Sequence, residues 1–237
     1  MRVLLPLPDH DFDVTEVAVP WRVLTGAGHE VVFATEHGGA APQADPLLLT
    51  GVVFGKLGAE DEPKAFYRQM LDSPAYRAPV AWGSVAVEEF DGLLLPGGHA
   101  PGMRQYLGSE ELQRVVARFW ALERPVGAIC HGVLVLARAG VLAGRRTTCL
   151  PKYMERAAYF STAWRRGRYY RTYPAYVQDE VEASGAVFER GPVELSKRGT
   201  ATDDGPAFVV RDGRYVSARW PGDAYLFART FAELLDT

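Results

Sequence analysis

Apolar runs alternate with amphipathic segments along most of the chain. Short apolar runs bounded by turn residues predict buried strands at RVLLPL (2–7), EVVFAT (30–35), FDGLLLPGG (90–98) and VGAI (126–129). Apolar positions at helical spacing predict helices at 15–28, 109–123 and 130–140. Near the end, AFVVRDGRYVSARW predicts two strands around an Asp-Gly turn, and DAYLFARTFAELL predicts a closing helix. This order predicts an α/β fold with a mostly parallel sheet and helices on both faces.

Two stretches interrupt this alternation, at about 36–86 and 152–180. The first contains proline, glycine and a predicted helix, EPKAFYRQML; the second is rich in Tyr, Trp and Arg. Long insertions in a compact domain are often lids or interfaces. The aromatic and basic mixture of the second also suits stacking on nucleic acid, but the surrounding charge is nearly balanced. We therefore predict a single domain, 1–237, in which the two insertions form a helical cap.

Composition narrows the classes of partner. The chain has 48% hydrophobic and 11% aromatic residues, and 26 basic against 29 acidic residues, for a formal charge of −3. Without a polybasic run we expect no nucleic-acid partner and no membrane, and a small-molecule substrate instead. The start of the chain does not resemble a signal peptide, so we expect a cytoplasmic protein. The sequence predicts no cofactor. It also predicts no metal, because the histidines and acids have no local ligand spacing, and the alternative is a site assembled across loops.

The stretch RPVGAICHGVLVLARAG (124–140) places a cysteine where a predicted central strand turns into a helix. This is the geometry of a nucleophile elbow, and small neighbours suit the cramped turn. The helix amino terminus would favour the thiolate of Cys130. The N–H groups of His131 and Gly98, the latter in the PGG turn, would form an oxyanion hole. The alternative is that Cys130 is an ordinary buried cysteine, as we expect for Cys149.

Only five histidines are present, and none follows His131. This excludes enzymes in which the catalytic histidine lies far downstream of the nucleophile, including the glutamine amidotransferases with a late His-x-Glu. His131 is the nearest candidate base for Cys130. Adjacent side chains at a helix start diverge, however, so His131 could instead cap the turn.

The segments LLLPGG, AICHG and TEVAVP with Glu16 together resemble the PfpI superfamily, which includes the intracellular protease/amidase family, the Parkinson-disease protein and a heat-shock glyoxalase/chaperone branch. The resemblance implies a flavodoxin-like doubly wound sandwich, a class I glutamine amidotransferase-like domain, and by analogy a homodimer. It also implies that Glu16 lies beside Cys130. A carboxyl group and a thiol in contact would share one proton, because both cannot ionise cheaply.

Some positions depart from the family pattern. Val133 stands where many members have proline, and Lys152 stands where the heat-shock branch has the acid that orients the histidine. Glu155 lies close to that position, and Asp223 lies in a segment that returns toward the pocket in the family. Both remain candidates for the orienting acid.

We therefore predict a cysteine-dependent enzyme with Cys130, His131 and Glu16 as catalytic residues. Glyoxalase-like conversion or hydrolysis of a small carbonyl compound, in a stress-response role, is the main hypothesis. The alternatives are a redox-sensing stress protein, a holdase chaperone without turnover, and an intracellular protease/amidase. Against a protease, the insertions should cover the cysteine and leave little room for a folded substrate.

Overall fold

A computed structural model describes residues 1–237 and shows a central sheet with helices around it. The strands are β1 (Arg2–Pro6), β2 (His10–Phe12), β3 (Glu30–Thr35), β4 (Gln43–Ala44), β5 (Val80–Ala81), β6 (Gly92–Leu95), β7 (Val126–Ile129), β8 (Arg146–Thr147), β9 (Val187–Phe188), β10 (Val209–Asp212) and β11 (Tyr215–Ala218). The helices are α1 (Val14–Gly26), α2 (Pro46–Thr50), α3 (Asp61–Leu71), α4 (Pro74–Arg77), α5 (Met103–Gly108), α6 (Glu110–Trp120), α7 (Val133–Arg138), α8 (Lys152–Arg166), α9 (Val177–Ala183) and α10 (Ala224–Leu235).

Seven strands form the main sheet in the order β10-β11-β7-β6-β1-β3-β5. Every neighbouring pair in it is parallel except the β10–β11 hairpin, which is antiparallel. Strands β1, β6 and β7 are central and almost completely buried, as expected for a parallel sheet covered on both sides. Their carboxyl ends therefore meet at one edge, where ligands bind in such folds.

Helices pack in two groups. Helix α1 packs against α3 and α10, and α6 packs against α7. Two strand glycines allow α10 to approach closely: a Cβ at Gly92 would lie 2.6 Å from the Leu235 side chain, and one at Gly127 would lie 3.0 Å from Phe227 and Phe231. The α/β sandwich predicted from the alternating pattern is confirmed.

The strands and helices predicted at the chain ends and centre are confirmed, with one difference at the elbow. The segment after β7 begins as a 3₁₀ turn, Cys130–Gly132, before α7 starts at Val133. The resulting helix has only 6 residues. It is shorter than the helix that the apolar pattern of 130–140 predicts.

The two insertions contact each other. The first contains α2, α3 and α4; the second contains α8, a 3₁₀ turn at Tyr169–Arg171 and the start of α9. The hydroxyl of Tyr169 donates a hydrogen bond to Asp45, which is the N-cap residue of α2. Two aromatic side chains of α8, Phe160 and Trp164, are about two-thirds exposed. None of the helices has the length and apolar character needed to cross a membrane.

Candidate active site

The sharp turn after β7 places Cys130 in a strained backbone conformation. Cys130 has φ of 58°, a left-handed value that non-glycine residues rarely adopt. Such strain costs on the order of 1–3 kcal/mol and persists only where the surroundings enforce it. The predicted elbow is therefore present, with Cys130 at its apex between a strand and a helical turn.

Glycines on two loops make this turn sterically feasible. A Cβ at Gly132 would lie 2.2 Å from the Leu95 carbonyl oxygen at the end of β6. A Cβ at Gly97 would lie 2.7 Å from the His131 nitrogen. The PGG turn and the elbow consequently touch through their backbones, and neither position accommodates a larger residue.

Helix α1 brings Glu16 to the same point. Asp13 caps the helix by accepting hydrogen bonds from the N–H groups of Thr15 at 2.8 Å and Glu16 at 3.1 Å. The Asp13 N–H donates to the Gly97 carbonyl at 2.9 Å, and the Gly97 N–H donates to Glu16 Oε2 at 2.8 Å. These bonds attach the start of α1 to the PGG turn and hold the buried Glu16 carboxyl group beside the elbow.

The buried Glu16 carboxyl group lies close enough to the Cys130 thiol for each group to affect the pKa of the other. Glu16 is completely buried, and its Oε1 atom has no hydrogen-bond partner. Burial, followed by the charge of Asp13, raises the pKa of Glu16 well above its usual value. The folded protein therefore favours the protonated form of Glu16, which presents an acidic proton to the site.

The pKa of the Cys130 thiol is shifted in the opposite direction to that expected from the sequence. Burial, followed by the charges of Glu16 and Asp13, raises the pKa of the Cys130 thiol well above its usual value, although the His131 N–H opposes the shift. The expected helix-terminus effect does not dominate, because α7 has only 6 residues and Cys130 is 1% exposed. Cys130 is therefore a thiol at rest and needs a base to become a nucleophile.

His131 is positioned to be that base. Its Nδ1 atom lies 3.4 Å from Cys130 Sγ, so the two adjacent side chains converge instead of diverging. Burial, followed by the charges of His99 and Arg138, lowers the pKa of His131 well below its usual value. The imidazole is consequently neutral at pH 7, and in the tautomer with its proton on Nε2 it can accept the thiol proton through Nδ1.

Aromatic side chains surround His131. The His99 ring centre lies 4.7 Å from that of His131, and His99 in turn packs against Tyr170 at 4.6 Å. Tyr173 packs on His131 from the second insertion, with 5.6 Å between ring centres. The predicted cap therefore supplies part of the wall of the site. Sequence reasoning did not select His99, although it directly follows the PGG turn that the same reasoning placed at the site.

Glu155 does not contact His131. It is 2% exposed and forms an ion pair with Arg171, with Arg171 Nη1 2.7 Å from Glu155 Oε1. Its other oxygen accepts a hydrogen bond from the Val177 N–H at 3.2 Å. Both oxygens of Glu155 are thus engaged in holding the second insertion together.

Asp223 is engaged in the same way. Its two oxygens accept hydrogen bonds from Arg219 Nε and Nη2, both at 2.8 Å, and neither residue is exposed. Backbone N–H groups of Phe208 and Arg219 also donate to it at 3.0 Å. Neither candidate acid is brought to His131, whose ring neighbours are instead His99 and Tyr173.

The two glycines of the PGG turn lie in different surroundings, which bears on the predicted oxyanion hole. Gly97 lies against the His131 nitrogen, but its own N–H is used by Glu16. Gly98 lies against the Asp11 carbonyl and the Asp13 nitrogen. An oxyanion hole formed by Gly98 and His131 remains a prediction.

A cavity of about 310 Å³ adjoins the site on the His99 side. Asp13, Thr15, His99 and Tyr170 line it near the elbow, and Arg198 is among its few charged residues. Most of the remaining wall is apolar and comes from both insertions and from the loop before α10. Its size suits a small organic molecule and not a folded protein.

Asp13 makes the stability of this region depend on pH. Burial raises the pKa of Asp13 to about 6, so the folded state favours the protonated acid. The contribution of protonated Asp13 to the free energy of unfolding is fully present below the unfolded-state pKa. It is lost as pH rises through about 6. We expect Asp13→Asn, which retains the cap oxygen but carries no charge, to stabilise the protein at pH 8 by up to about 3 kcal/mol.

Urea unfolding of both proteins between pH 4 and pH 8 would measure this. The advantage of Asp13→Asn should shrink toward pH 4, because wild-type Asp13 stays protonated in the folded state while the unfolded state also begins to take up the proton. A constant difference across the range would contradict the assigned burial effect.

Taken together, the sheet and the elbow define an α/β protein with a buried cysteine, histidine and glutamic acid at the carboxyl edge of its central strands. The family described as "ThiJ/PfpI family-like" matches residues 7–193. The chain therefore belongs to the ThiJ/PfpI family, which confirms the resemblance identified from its motifs.

Individual relatives cover nearly the whole chain. An uncharacterized protein of Schizosaccharomyces pombe is 32% identical over 99% of this chain and 84% of its own length. A deglycase of Pyrococcus abyssi is 30% identical over 99% of both chains. Among solved structures, glyoxalase III of Candida albicans has a TM-score of 0.70 and 20% identity, covering 99% of this chain and 97% of that one. This structural likeness confirms the fold.

Proposed function

We propose that the protein is a cysteine-dependent enzyme that converts small α-oxoaldehydes, such as methylglyoxal, to hydroxy acids. The observation that carries this proposal is the strained Cys130, whose Sγ atom lies 3.4 Å from a neutral histidine and interacts with a buried acid of raised pKa, Glu16. A neutral base and a neutral acid beside one nucleophile are the groups that carbonyl addition requires.

In the first step, His131 Nδ1 accepts the thiol proton while Cys130 Sγ bonds to the aldehyde carbon. Glu16 gives its proton to the developing alkoxide, so a hemithioacetal forms and no charge is left on the adduct. The negative charge then lies on the Glu16 carboxylate, which is a much weaker base than an alkoxide, and the His131 imidazolium carries the positive charge. The acid role of Glu16 follows from its raised pKa, and the base role of His131 follows from its lowered one.

In the next steps, the carbon-bound hydrogen of the hemithioacetal moves as a proton to the neighbouring carbonyl carbon. One basic group removes this proton and the acid returns one, and the adduct becomes a thioester of the hydroxy acid on Cys130. Water then cleaves the thioester and restores the thiol. The net reaction adds one water to methylglyoxal and releases lactic acid, so atoms balance without an external oxidant or a cofactor.

The relatives support this chemistry. The chain is 30% identical to a deglycase over nearly the full length of both proteins, and glyoxalase III shares its fold. Burial of Cys130 to 1% exposure and the adjoining 310 Å³ cavity favour a small substrate over a protein chain. These features support the glyoxalase-like reaction over the protease/amidase alternative.

The test is lactate production from methylglyoxal by the purified protein, in the absence of glutathione. We expect lactate to appear in a one-to-one ratio with methylglyoxal consumed. If methylglyoxal disappears without lactate, the thiol is trapped as an adduct and the proposed turnover is wrong. Thiol oxidation and suppression of protein aggregation, measured on the same sample, would then test the redox-sensor and holdase alternatives.

Glu16→Gln tests the proton donor separately. The amide oxygen can still accept the Gly97 N–H hydrogen bond, so the position of the PGG turn is retained, but no acidic proton is available. We expect kcat/KM to fall by about 100-fold with little change in Tm. Equal activity of the two proteins at pH 7 would show that Glu16 has no proton-transfer role.

A further inference from the structure

Three donor side chains from two loops converge beside the elbow. Sulfur or nitrogen atoms of His99, Cys130 and His131 all lie within 4.8 Å of one another. His99 follows β6, while Cys130 and His131 follow β7, and these parallel strands are neighbours in the sheet. The convergence is a consequence of topology, because the carboxyl ends of adjacent parallel strands meet at one edge.

The donor set has the chemistry of a site for a thiophilic cation. One thiolate and two imidazoles are ligands that Zn²⁺ prefers, and three protein ligands leave the fourth tetrahedral position open. Bond lengths of about 2.3 Å to sulfur and about 2.0 Å to nitrogen place tetrahedral S and N ligands roughly 3.5 Å apart. The Cys130 Sγ to His131 Nδ1 distance of 3.4 Å already matches this separation.

His99 supplies an independent observation. It is 9% exposed, and its Nδ1 atom is buried without a hydrogen-bond partner. A buried ring nitrogen without a partner is costly unless a ligand or water satisfies it. His99 also lines the 310 Å³ cavity, so this member of the cluster faces a space that a ligand can enter.

We propose that His99, Cys130 and His131 bind one Zn²⁺ ion, which occupies the reactive thiol and reversibly blocks its chemistry. On binding, the Cys130 thiol loses its proton to solvent, its sulfur bonds to the metal, and one nitrogen of each imidazole donates a lone pair. The widest donor separation, up to 4.8 Å, must shorten by about 1 Å to reach the spacing of tetrahedral ligands, which a small side-chain shift provides. This inference does not depend on the identity of the substrate.

Isothermal titration of the metal-free protein with zinc chloride tests the site. We expect one ion per chain, release of about one proton per ion, and recovery of the free thiol on adding a chelator. Cys130→Ser should abolish this binding. His99→Phe, which keeps a ring beside Tyr170 but has no nitrogen, should weaken it at least tenfold.

Cys149→Ser is the matched control, since Cys149 is the second buried thiol and belongs to no such cluster. It should bind zinc as wild type does. If His99→Phe binds zinc with unchanged affinity, His99 is not a ligand and the three-ligand site is wrong. If wild type does not bind zinc stoichiometrically, the whole proposal is wrong. X-ray absorption of the wild-type zinc complex needs no variant: one sulfur and at least two nitrogen ligands are expected, and a shell without sulfur contradicts the assignment.

Discussion

Cys130→Ser is expected to lower kcat/KM for methylglyoxal by at least about 1000-fold. Serine fits the space of the cysteine, but its hydroxyl is far less acidic and less nucleophilic than a thiol. His131 at 3.4 Å from the sulfur cannot compensate for this difference, because its neutral imidazole is a weak base in a buried site. Lactate release and methylglyoxal loss, followed under identical conditions, would measure the effect.

The control for this experiment is the other cysteine. Cys149 is as buried as Cys130 and its thiol pKa is also raised, but its sulfur faces the Leu150 carbonyl at 3.9 Å and not a histidine nitrogen that could take its proton. Cys149→Ser should retain wild-type turnover within a small factor. If turnover survives in Cys130→Ser but is lost in Cys149→Ser, the nucleophile is Cys149 and the proposed function is wrong.

Arg219→Met is expected to have the largest effect on stability, about 3–5 kcal/mol. Arg219 and Asp223 are both fully buried, and their bidentate pairing joins the end of β11 to the start of α10. Arg219 also donates hydrogen bonds to the carbonyls of Pro192 at 2.7 Å and Pro206 at 3.1 Å. Methionine fills similar volume but leaves the buried Asp223 charge with backbone donors only and no counter-ion, and it leaves two carbonyls without the hydrogen bonds from Arg219.

Arg146→Met is the matched comparison for this prediction. Arg146 pairs with Glu189 at 2.6 Å, but the two side chains are 58% and 32% exposed, so water replaces the lost partner. We expect a cost below about 1 kcal/mol. Urea unfolding at pH 7 compares the two variants directly, and equal costs would contradict the structural role assigned to the buried pair.

The same pair bears on the catalytic assignments. Asp223 was a candidate for the acid that orients His131, but its oxygens are occupied by Arg219 and by backbone donors. Asp223→Asn should therefore lower stability while leaving the pH dependence of turnover in the folded fraction unchanged. A shifted pH profile would return Asp223 to the catalytic machinery.

Much of the fold was predictable because its causes are local. Runs such as GLLL in β6 and VGAI in β7 are apolar throughout. A continuous apolar run of this length is typical of a strand that is buried on both faces of a sheet. The position of Cys130 was predictable for the same reason: a strand, a small residue and a helical pattern meet at it within a few positions. Glu16 became a candidate only through the resemblance of its segment to the PfpI superfamily.

The state of the site was not predictable from these patterns. The helix-terminus argument favoured a thiolate at Cys130, whereas burial and the neighbouring carboxyl groups raise the pKa of the thiol. The surroundings of His131 depend on residues far away in the chain, among them His99 and Tyr173, whose rings pack against it. The extent of desolvation is a property of packing, and no short sequence window contains it.

The sequence by itself determined the alternation of strands and helices, the elbow at Cys130 and the family, because each depends on residues close together in the chain. Only the tertiary structure decided which side chains meet at that elbow. It brought His99 to His131 and Glu16 to the PGG turn, and it engaged Glu155 with Arg171 and Asp223 with Arg219. The physical reason is that hydrogen bonds, ion pairs and desolvation depend on distances in space, which strand order and insertion packing establish and residue spacing does not.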